Sequence, residues 1–280
     1  MRPQSAVWID VLPQGIYRRA ECDALVFVDV MLAGTTAITS LAQGRRTFFP
    51  AGLAQAREIG KRFPGAILAQ EDVAGARDFV SIGPTAITRG DAGQPLVLVT
   101  SWSHLLAEAA GQAAVYLAGL GNLSATAAAL AATHSRVALL CAGFGGEQRS
   151  EDRITAAKLA EALVSRGFDF GDLGTAQEMQ SWARADLSLL GWGKSAEYLR
   201  RLGQEEDLAF VLSHDDDLSV VCVYERGELV RFDQRHRPAQ VGGVGASFAQ
   251  PARTAAAGQR SHMLSLAGAV ARRPAPEPEG

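Results

Sequence analysis

The sequence predicts an α/β protein with three layers, in which helices cover both faces of a mainly parallel sheet. Two observations lead to this fold class. Short apolar runs typical of buried strands alternate about six times with stretches of helical periodicity. Several of these runs end in carboxylates or glycines, as strands do where a parallel sheet presents its ligand-binding edge. With 280 residues and 48% hydrophobic content, the chain can bury a substantial core.

The elements can be assigned in chain order. Residues 1–22 are expected to be irregular or to form an edge strand, and residues 73–94, rich in Gly, Pro and Thr, an excursion on the side of the active site. The predicted strands are 25–30, 46–49, 66–69, 96–99, 113–117 and 137–141. The predicted helices are 34–42, 52–62, 105–110, 123–132 with Asn122 as its cap, and 151–166.

Beyond Phe168 the composition changes. Three helices are predicted at 176–185, 195–202 and 205–211, followed by a hairpin of 218–224 and 228–232 that turns at Arg226-Gly227. We therefore divide the chain into an α/β core (1–167), a helical and hairpin part of the same fold (168–232) and a tail (233–280). The tail is rich in Pro, Ala, Gly, Arg and Gln, which predicts disorder without catalytic groups.

Charge and cysteine content exclude several classes of protein. The formal net charge is −3, and no basic stripe is interleaved with aromatics, which argues against a nucleic-acid partner. Cys22, Cys141 and Cys222 are odd in number and far apart, as expected in a reducing compartment. No apolar run reaches about 18–20 residues, and the N-terminus lacks a signal pattern. We expect a cytoplasmic protein without a membrane partner.

A strand, a glycine loop and a helix start follow one another at residues 137–163. The apolar run at 137–141 predicts a buried strand, and the glycines after it allow the backbone to turn sharply. Ser150 is placed to cap the next helix, and Glu151 and Asp152 fall in its first turn. Because ligands bind at this end of the strands in open α/β sheets, the stretch is the first candidate for a site.

Two interpretations of these acids stay open on spacing alone. In the first, the acids only complement the positive end of the helix dipole, at about 0.3–1 kcal/mol each. In the second, Glu147, Glu151 and Asp152 supply hard oxygen ligands to a divalent cation while amides of the loop face an anion. Neither a G-x-G-x-x-G fingerprint nor a P-loop fits, because Gln148 takes the place of the third glycine.

Acids and hydroxyls also follow other predicted strands. Asp29 lies at the end of the first strand, and Glu71 and Asp72 follow the strand at 66–69. On pattern alone, each of these acids is a metal ligand or an ordinary turn acid. Polar side chains at helix starts either bind phosphate or cap the helix, and these are Thr35, Thr36, Asn122 and Ser124.

The order of these motifs along residues 22–232 is similar to that in a known protein family. The strongest match is Cys141-Ala-Gly, followed by Gly-Glu and by Ser150-Glu151-Asp152 at a helix start. Weaker matches are Val28-Asp29-Val30, Thr35-Thr36, Glu71, Thr100, Gly121-Asn122, Ser124, Ser195, Leu199, Leu202-Gly203 and Glu206-Asp207. With these motifs the chain resembles the 2-phosphosulfolactate phosphatase family, magnesium-dependent enzymes of the coenzyme M pathway.

The resemblance implies an α/β phosphatase that uses Mg²⁺ to hydrolyse a small anionic phosphomonoester, 2-phosphosulfolactate or a related 2-phospho acid. It implies Asp29, Glu151 and Asp152 as catalytic residues and, together with Glu71, as ligands of Mg²⁺. The residues expected to bind substrate phosphate are Thr35, Thr36, Thr100, Asn122, Ser124, Gly143 and Ser150. A homodimer is left open.

Three departures from the family pattern leave alternatives open. Leu32 stands where the family has an arginine, and residues 81–84 and 100–103 also differ. Because an arginine fork is the natural ligand of phosphate, sulfonate or carboxylate, its loss affects the expected substrate more than the fold. Arg77 or Arg149 could replace it. The alternatives are a homologue that binds an anionic metabolite or a partner without turnover, and a different hydrolase with a pocket shaped by Trp102 and His104.

Overall fold

The computed structural model describes residues 5–71 and 76–232. In this part of the chain, helices flank one eleven-stranded sheet, so the predicted three-layer α/β fold is confirmed. The predicted tail at 233–280 and Asp72 lie outside the described residues. No helix of the described part combines the length and the apolarity needed to cross a membrane.

The strands and helices follow the predicted order. The strands are β1 Ala6–Asp10, β2 Ala24–Val28, β3 Thr47–Phe48, β4 Ile67–Gln70, β5 Val80–Ser81, β6 Leu96–Val99, β7 Ala114–Ala118, β8 Arg136–Cys141, β9 Asp169–Phe170, β10 Cys222–Glu225 and β11 Glu228–Arg231. The α-helices are α1 Ala33–Ala42, α2 Leu53–Arg62, α3 Pro84–Arg89, α4 Ser103–Ala110, α5 Leu123–Thr133, α6 Ser150–Val164, α7 Leu173–Trp182, α8 Lys194–Arg201 and α9 Glu205–Ser213. Short 3₁₀ helices lie at Pro13–Arg18, Leu120–Asn122 and Leu187–Trp192.

The sheet consists of two parallel halves joined by a hairpin. The strand order is β5-β4-β6-β3-β11-β10-β7-β2-β8-β1-β9. The strands from β5 to β3 are parallel to one another, and so are those from β7 to β9. The hairpin β10–β11 lies between them and makes antiparallel pairs with β7 and β3. Three successive antiparallel pairs make the two halves run in opposite directions within the sheet.

A hydrogen bond shows that the carboxyl ends of the two halves come together. Six neighbouring steps separate β2 from β4 in the sheet. A twist of roughly 20–25° per step is typical of β-sheets and turns distant strands relative to one another. The indole of Trp102, which follows β6, donates a hydrogen bond to Asp29, which follows β2. The polar ends of both halves therefore meet in one place.

The central strand β2 shows why the sheet is buried on both faces. Leu25 and Phe27 pack in one hydrophobic cluster, whereas Val26 and Val28 pack in another. Successive side chains of a strand point to opposite faces, so an unbroken apolar run serves two cores. A third, smaller cluster packs α2 against β3 and β6.

Long-range contacts correct one prediction about the elements and add detail to another. The N-terminal segment forms β1, which pairs with β8 on one side and β9 on the other, so it is neither irregular nor an edge strand. The excursion at 73–94 contains α3. The backbone N–H of Thr85 at the start of α3 donates to Asp207 of α9, so a distant carboxylate caps this helix.

Two predicted helix caps are also wrong. Asn122 makes no capping hydrogen bond to α5, and the backbone N–H of Ser124 donates instead to Asp216, which arrives from the loop before the hairpin. Ser150 is the first residue of α6 and does not cap it with its side chain. The sequence around α5 does not reveal that Asp216, a distant carboxylate, accepts a hydrogen bond from the first turn of this helix.

Candidate active site

Asp152 joins three separate segments at the carboxyl ends of the strands. Its Oδ1 accepts a hydrogen bond from the backbone N–H of Val30 at 3.1 Å, and its Oδ2 accepts one from that of Gly143 at 2.8 Å. These two residues follow β2 and β8. The carboxylate in the first turn of α6 is therefore fixed by backbone groups.

Gly143 has the positive φ that its close turn requires. Its φ is 63°, and a Cβ at this position would lie 2.5 Å from the backbone oxygen of Glu147. A side chain would thus be both strained and obstructed here. The glycine loop is what allows an amide to reach Asp152.

Asp29 is buried at the end of β2, and one of its oxygens is open. Its Oδ2 accepts a hydrogen bond from the indole Nε1 of Trp102 at 3.0 Å, and the backbone N–H of Gly34 also donates to this carboxylate. Its Oδ1 is buried and has no hydrogen-bond partner among the described residues. A buried acceptor without a partner costs free energy, so this oxygen calls for a proton or a cation.

Trp102 contacts Asp29 in a way that the sequence did not indicate. Its ring lies between Phe27 and Phe49, with centroid distances of 5.5 and 5.4 Å, and is 1% exposed. This packing fixes the direction of the N–H group toward Asp29. Only the pairing of the two sheet halves brings these aromatic residues together.

Glu71 and Glu151 complete the group of acids. Oε2 of Glu71 accepts a hydrogen bond from the backbone N–H of Ser101 at 2.8 Å. Glu151 is 1% exposed and lies close to Gly193. A Cβ added to Gly193 would be 3.3 Å from Oε2 of Glu151. We call Asp29, Glu71, Glu151 and Asp152 the acid cluster.

The pKa shifts show that these acids act on one another. Burial raises the pKa of Asp29 to about 7, and the negative charges of Glu71 and Glu151 add to this, against the hydrogen bonds from Gly34 and Trp102. Burial, with the charges of Asp29 and Glu151, raises the pKa of Asp152 well above its usual range. Burial also raises the pKa of Glu71. The cluster therefore demands protons or a cation to offset its charge.

The donor set fits a hard divalent cation. Four carboxylates gather here, one with a free buried oxygen, and oxygen ligands are those that Mg²⁺ prefers. Among residues 5–71 and 76–232, no three of these acids are arranged as a ready-made set of metal ligands. Mg²⁺ usually takes only one or two carboxylates and completes its shell with water and phosphate, so this arrangement does not exclude it. The Mg²⁺ ligands stay a prediction.

A cavity of about 750 Å³ lies beside the acid cluster, with Glu71 in its wall. Its apolar wall consists of Met31, Leu32, Phe144, Tyr198, Leu199 and Leu202. Its other polar groups include Glu147, Arg149, Lys194, Ser195 and Arg201. The charged groups of the wall are thus three carboxylates, those of Glu71, Glu147 and Glu197, and the cations of Arg149, Lys194 and Arg201.

The residues that line the cavity show what stands in place of the arginine that the resemblance led us to expect. Leu32 lines it and is nearly buried, so this position offers an apolar surface and no fork for an anion. Arg149 also lines the cavity, whereas Arg77 is exposed and is not part of the wall. Lys194, at the start of α8, was not a sequence candidate because nothing local links α8 to the acids.

Most of the predicted phosphate-binding hydroxyls already have partners. The Thr35 hydroxyl donates to the backbone oxygen of Val30, and the Thr36 hydroxyl to that of Ile82. The hydroxyl of Thr100 shares a hydrogen bond with that of Ser103. These contacts hold the loops beside Asp29 and Trp102 in place, and a role in binding phosphate stays a prediction.

The remaining candidates differ in their position. The Asn122 side chain is buried, where it accepts from the N–H of Gly119 and donates to the backbone oxygen of Val220 at 3.1 Å. The Asp216 carboxylate accepts from the N–H of Ser124 in the first turn of α5, and the binding of phosphate by Asn122 and Ser124 stays a prediction. Ser150 lies beside the acid cluster, with its Oγ 3.4 Å from Oε2 of Glu151. Glu147 pairs with cations of the cavity wall instead of joining the cluster.

Comparison with known proteins gives one consistent result. The model of the family described as 2-phosphosulpholactate phosphatase matches residues 11–227. A probable 2-phosphosulfolactate phosphatase of Deinococcus radiodurans is 32% identical over 218 residues, which cover 75% of this chain and 86% of that protein. One from Symbiobacterium thermophilum is 29% identical over 221 residues, covering 73% and 92%. A third, from Thermotoga petrophila, is 26% identical over 200 residues, covering 70% and 86%.

Proposed function

Since the chain belongs to the 2-phosphosulpholactate phosphatase family, we propose that it hydrolyses a small anionic phosphomonoester with the aid of Mg²⁺. The substrate is 2-phosphosulfolactate or a related 2-phospho acid, as the names of the relatives suggest. The observation that carries the proposal is the buried, unpartnered Oδ1 of Asp29 inside the acid cluster, beside a cavity of about 750 Å³.

The chain's own groups have distinct tasks in this proposal. Asp29, together with Glu71 or Glu151, would hold the cation. Asp152 keeps the segments after β2 and β8 at a fixed distance through its two backbone hydrogen bonds. When bound, Mg²⁺ would act as a Lewis acid toward the phosphoryl oxygens. Trp102 holds Asp29 in one orientation, which leaves Oδ1 for the cation. The apolar wall around Leu32 limits access of bulk water.

Phosphate release from a panel of phosphomonoesters, with 2-phosphosulfolactate first, tests the proposal. We expect Mg²⁺-dependent turnover that falls by about 100-fold or more with EDTA and with Glu151→Gln, because both remove charge stabilisation at the phosphoryl group. The matched control is Glu161→Gln, which changes an exposed carboxylate of the same helix and should leave turnover unchanged. Turnover that ignores both chelation and Glu151→Gln would contradict the metal-dependent mechanism.

One observation favours a second candidate function, a homologue that binds an anionic metabolite without turnover. Leu32 places an apolar side chain beside the acids, where the family resemblance leads us to expect a cation. Calorimetry that detects binding of 2-phosphosulfolactate, with no phosphate released from any ester in the panel, would support this candidate. Rapid turnover of any ester would exclude it.

A further inference from the structure

A carboxylate lies between two cations in the cavity wall. Oε2 of Glu147 is 3.0 Å from Nη1 of Arg149 and 3.3 Å from Nζ of Lys194. All three residues line the cavity, and we call them the cationic rim. The rim joins the loop after β8 to the start of α8. In the free protein, then, an anion from the chain itself occupies the space between two cations.

Arg149 is held in place independently of this carboxylate. Its guanidinium lies 5.6 Å from the ring centroid of Phe144, which in turn packs against Tyr198 at 5.8 Å. The Arg149 side chain is only 12% exposed, and its Nε is buried without a hydrogen-bond partner among the described residues. The stacking fixes the fork, and the unused donor shows that its hydrogen-bonding capacity is not exhausted.

Glu147, in contrast, is held weakly. Its side chain is 62% exposed and that of Lys194 is 74% exposed, so water reaches the Glu147 side of both ion pairs. Exposed ion pairs contribute little free energy, because water and salt screen them. A ligand anion that reaches the rim can therefore displace this carboxylate without a large cost.

The start of α8 adds further donors at the same place. Gly193 precedes the helix and offers no side-chain cap, so the amides of the first turn are not satisfied by a side chain. Ser195, in this turn, lines the cavity. Glu197 and Arg201 also line the cavity. Because their charges are opposite, together they leave the net charge of the cavity wall unchanged.

From these contacts we propose that Arg149 and Lys194 form the subsite for the substrate's non-phosphate anion, a carboxylate or sulfonate. Glu147 occupies the subsite in the free protein and moves aside when the ligand binds. The inference rests on the proposed function, since it places the phosphoryl group at the acid cluster and the second anion at the rim. It also assigns to Arg149 the recognition of this second anion, which the apolar side chain of Leu32 cannot provide.

The test compares two products of the proposed reaction, because neither is turned over. Calorimetry with the full-length protein in Mg²⁺ buffer would measure dissociation constants for sulfolactate and for inorganic phosphate. Arg149→Met should weaken sulfolactate binding by about 10- to 100-fold, since charge-assisted hydrogen bonds are lost. Glu147→Gln should strengthen it by up to about fivefold, because the competing charge is gone. Binding of inorganic phosphate should change by less than about twofold in both variants.

A matched pair elsewhere in the fold provides the control. Arg46 also stacks on a phenylalanine, with its guanidinium 4.9 Å from Phe48, and pairs with a carboxylate, that of Glu228, but it does not line the cavity. Arg46→Met and Glu228→Gln should leave both dissociation constants unchanged. Thermal melting of each variant would confirm that it is folded.

The outcomes separate this inference from the proposed function. Opposite shifts in Arg149→Met and Glu147→Gln, confined to sulfolactate, support the subsite even if 2-phosphosulfolactate is not hydrolysed, in which case the phosphatase proposal fails alone. Equal shifts for both ligands, no shift in Arg149→Met, or no measurable binding of sulfolactate to the wild-type protein would overturn the subsite, whatever the turnover.

Discussion

The acid cluster and the cationic rim lie in one region of the protein, but their charged groups have different kinds of partner. The carboxylates of Asp29 and Asp152 are buried and accept hydrogen bonds from backbone amides and an indole. Within the described residues, no arginine or lysine pairs with them. In the rim, Glu147 is exposed and pairs only with the side chains of Arg149 and Lys194.

The contrast teaches which parts of the site are fixed and which can adjust. Backbone partners fix the acids and leave their negative charge uncompensated, so the cluster is rigid and favours a cation. Side-chain partners in solvent fix a carboxylate weakly, so the rim can exchange it for another anion. A phosphatase needs both, since one end must position the reacting group while the other recognises the rest of the substrate.

The largest effect is expected from removal of the Asp152 carboxylate. Asp152→Ala leaves the buried amides of Val30 and Gly143 without acceptors, so the free energy of unfolding should fall by about 2–5 kcal/mol in urea denaturation. Phosphate release should fall by at least about 100-fold. Glu147→Ala, in the rim, should leave the urea midpoint unchanged.

Asp152→Asn provides a second readout, which does not depend on the folding of Asp152→Ala. The amide keeps the volume and one acceptor, so the protein should fold with reduced activity. Full activity of a folded Asp152→Asn protein would contradict the role of this carboxylate.

A pH effect on stability follows from the raised pKa values. In EDTA the folded protein keeps a proton on Asp29 up to about pH 7, whereas the unfolded chain loses it near its ordinary pKa of 3.8. The folded state thus binds more protons between these values, and stability falls as pH rises through this window. The free energy of unfolding should drop by roughly 1–3 kcal/mol from pH 5 to pH 8 in urea titrations.

Two variants, one in the acid cluster and one in the cationic rim, show which of these regions causes the pH dependence of stability. Asp29→Asn should reduce the pH dependence, because it removes one of the carboxylates whose pKa is raised in the folded state. Glu147→Gln should leave it unchanged, because Arg149 and Lys194 lower the pKa of Glu147 from its ordinary value of 4.5, so this group stays ionised throughout the measured range of pH 5 to 8. An unaltered slope in Asp29→Asn would show that another group is responsible.

The smallest effect is expected from the indole of Trp102. Trp102→Phe removes the N–H that donates to Asp29 but keeps an aromatic ring between Phe27 and Phe49. Because Asp29 loses its orientation, kcat should fall by about tenfold, with a small change in melting temperature. Trp182→Phe is the matched control, since Nε1 of Trp182 is buried and has no partner among the described residues. Equal losses in the two variants would mean that packing, not the hydrogen bond, matters.

Much of the fold could be predicted because its signals are local. Apolar runs such as 96–99 and 137–141 became β6 and β8, and the turn at Arg226-Gly227 became the hairpin. What failed depended on distant partners. Asp207 caps α3 and Asp216 caps α5, and neither carboxylate lies near its helix in sequence. A cap of this kind cannot be identified from the sequence of the helix it serves.

The sequence by itself determined the family, the layered α/β fold and the acids that follow the strands, because burial and periodicity act over a few residues. Only the tertiary structure decided that β10–β11 lies inside the sheet and that Trp102 meets Asp29. It also decided that Glu147 pairs with Lys194. The physical reason is that twist accumulates over strands paired at long range, so the meeting of strand ends is a property of the whole sheet.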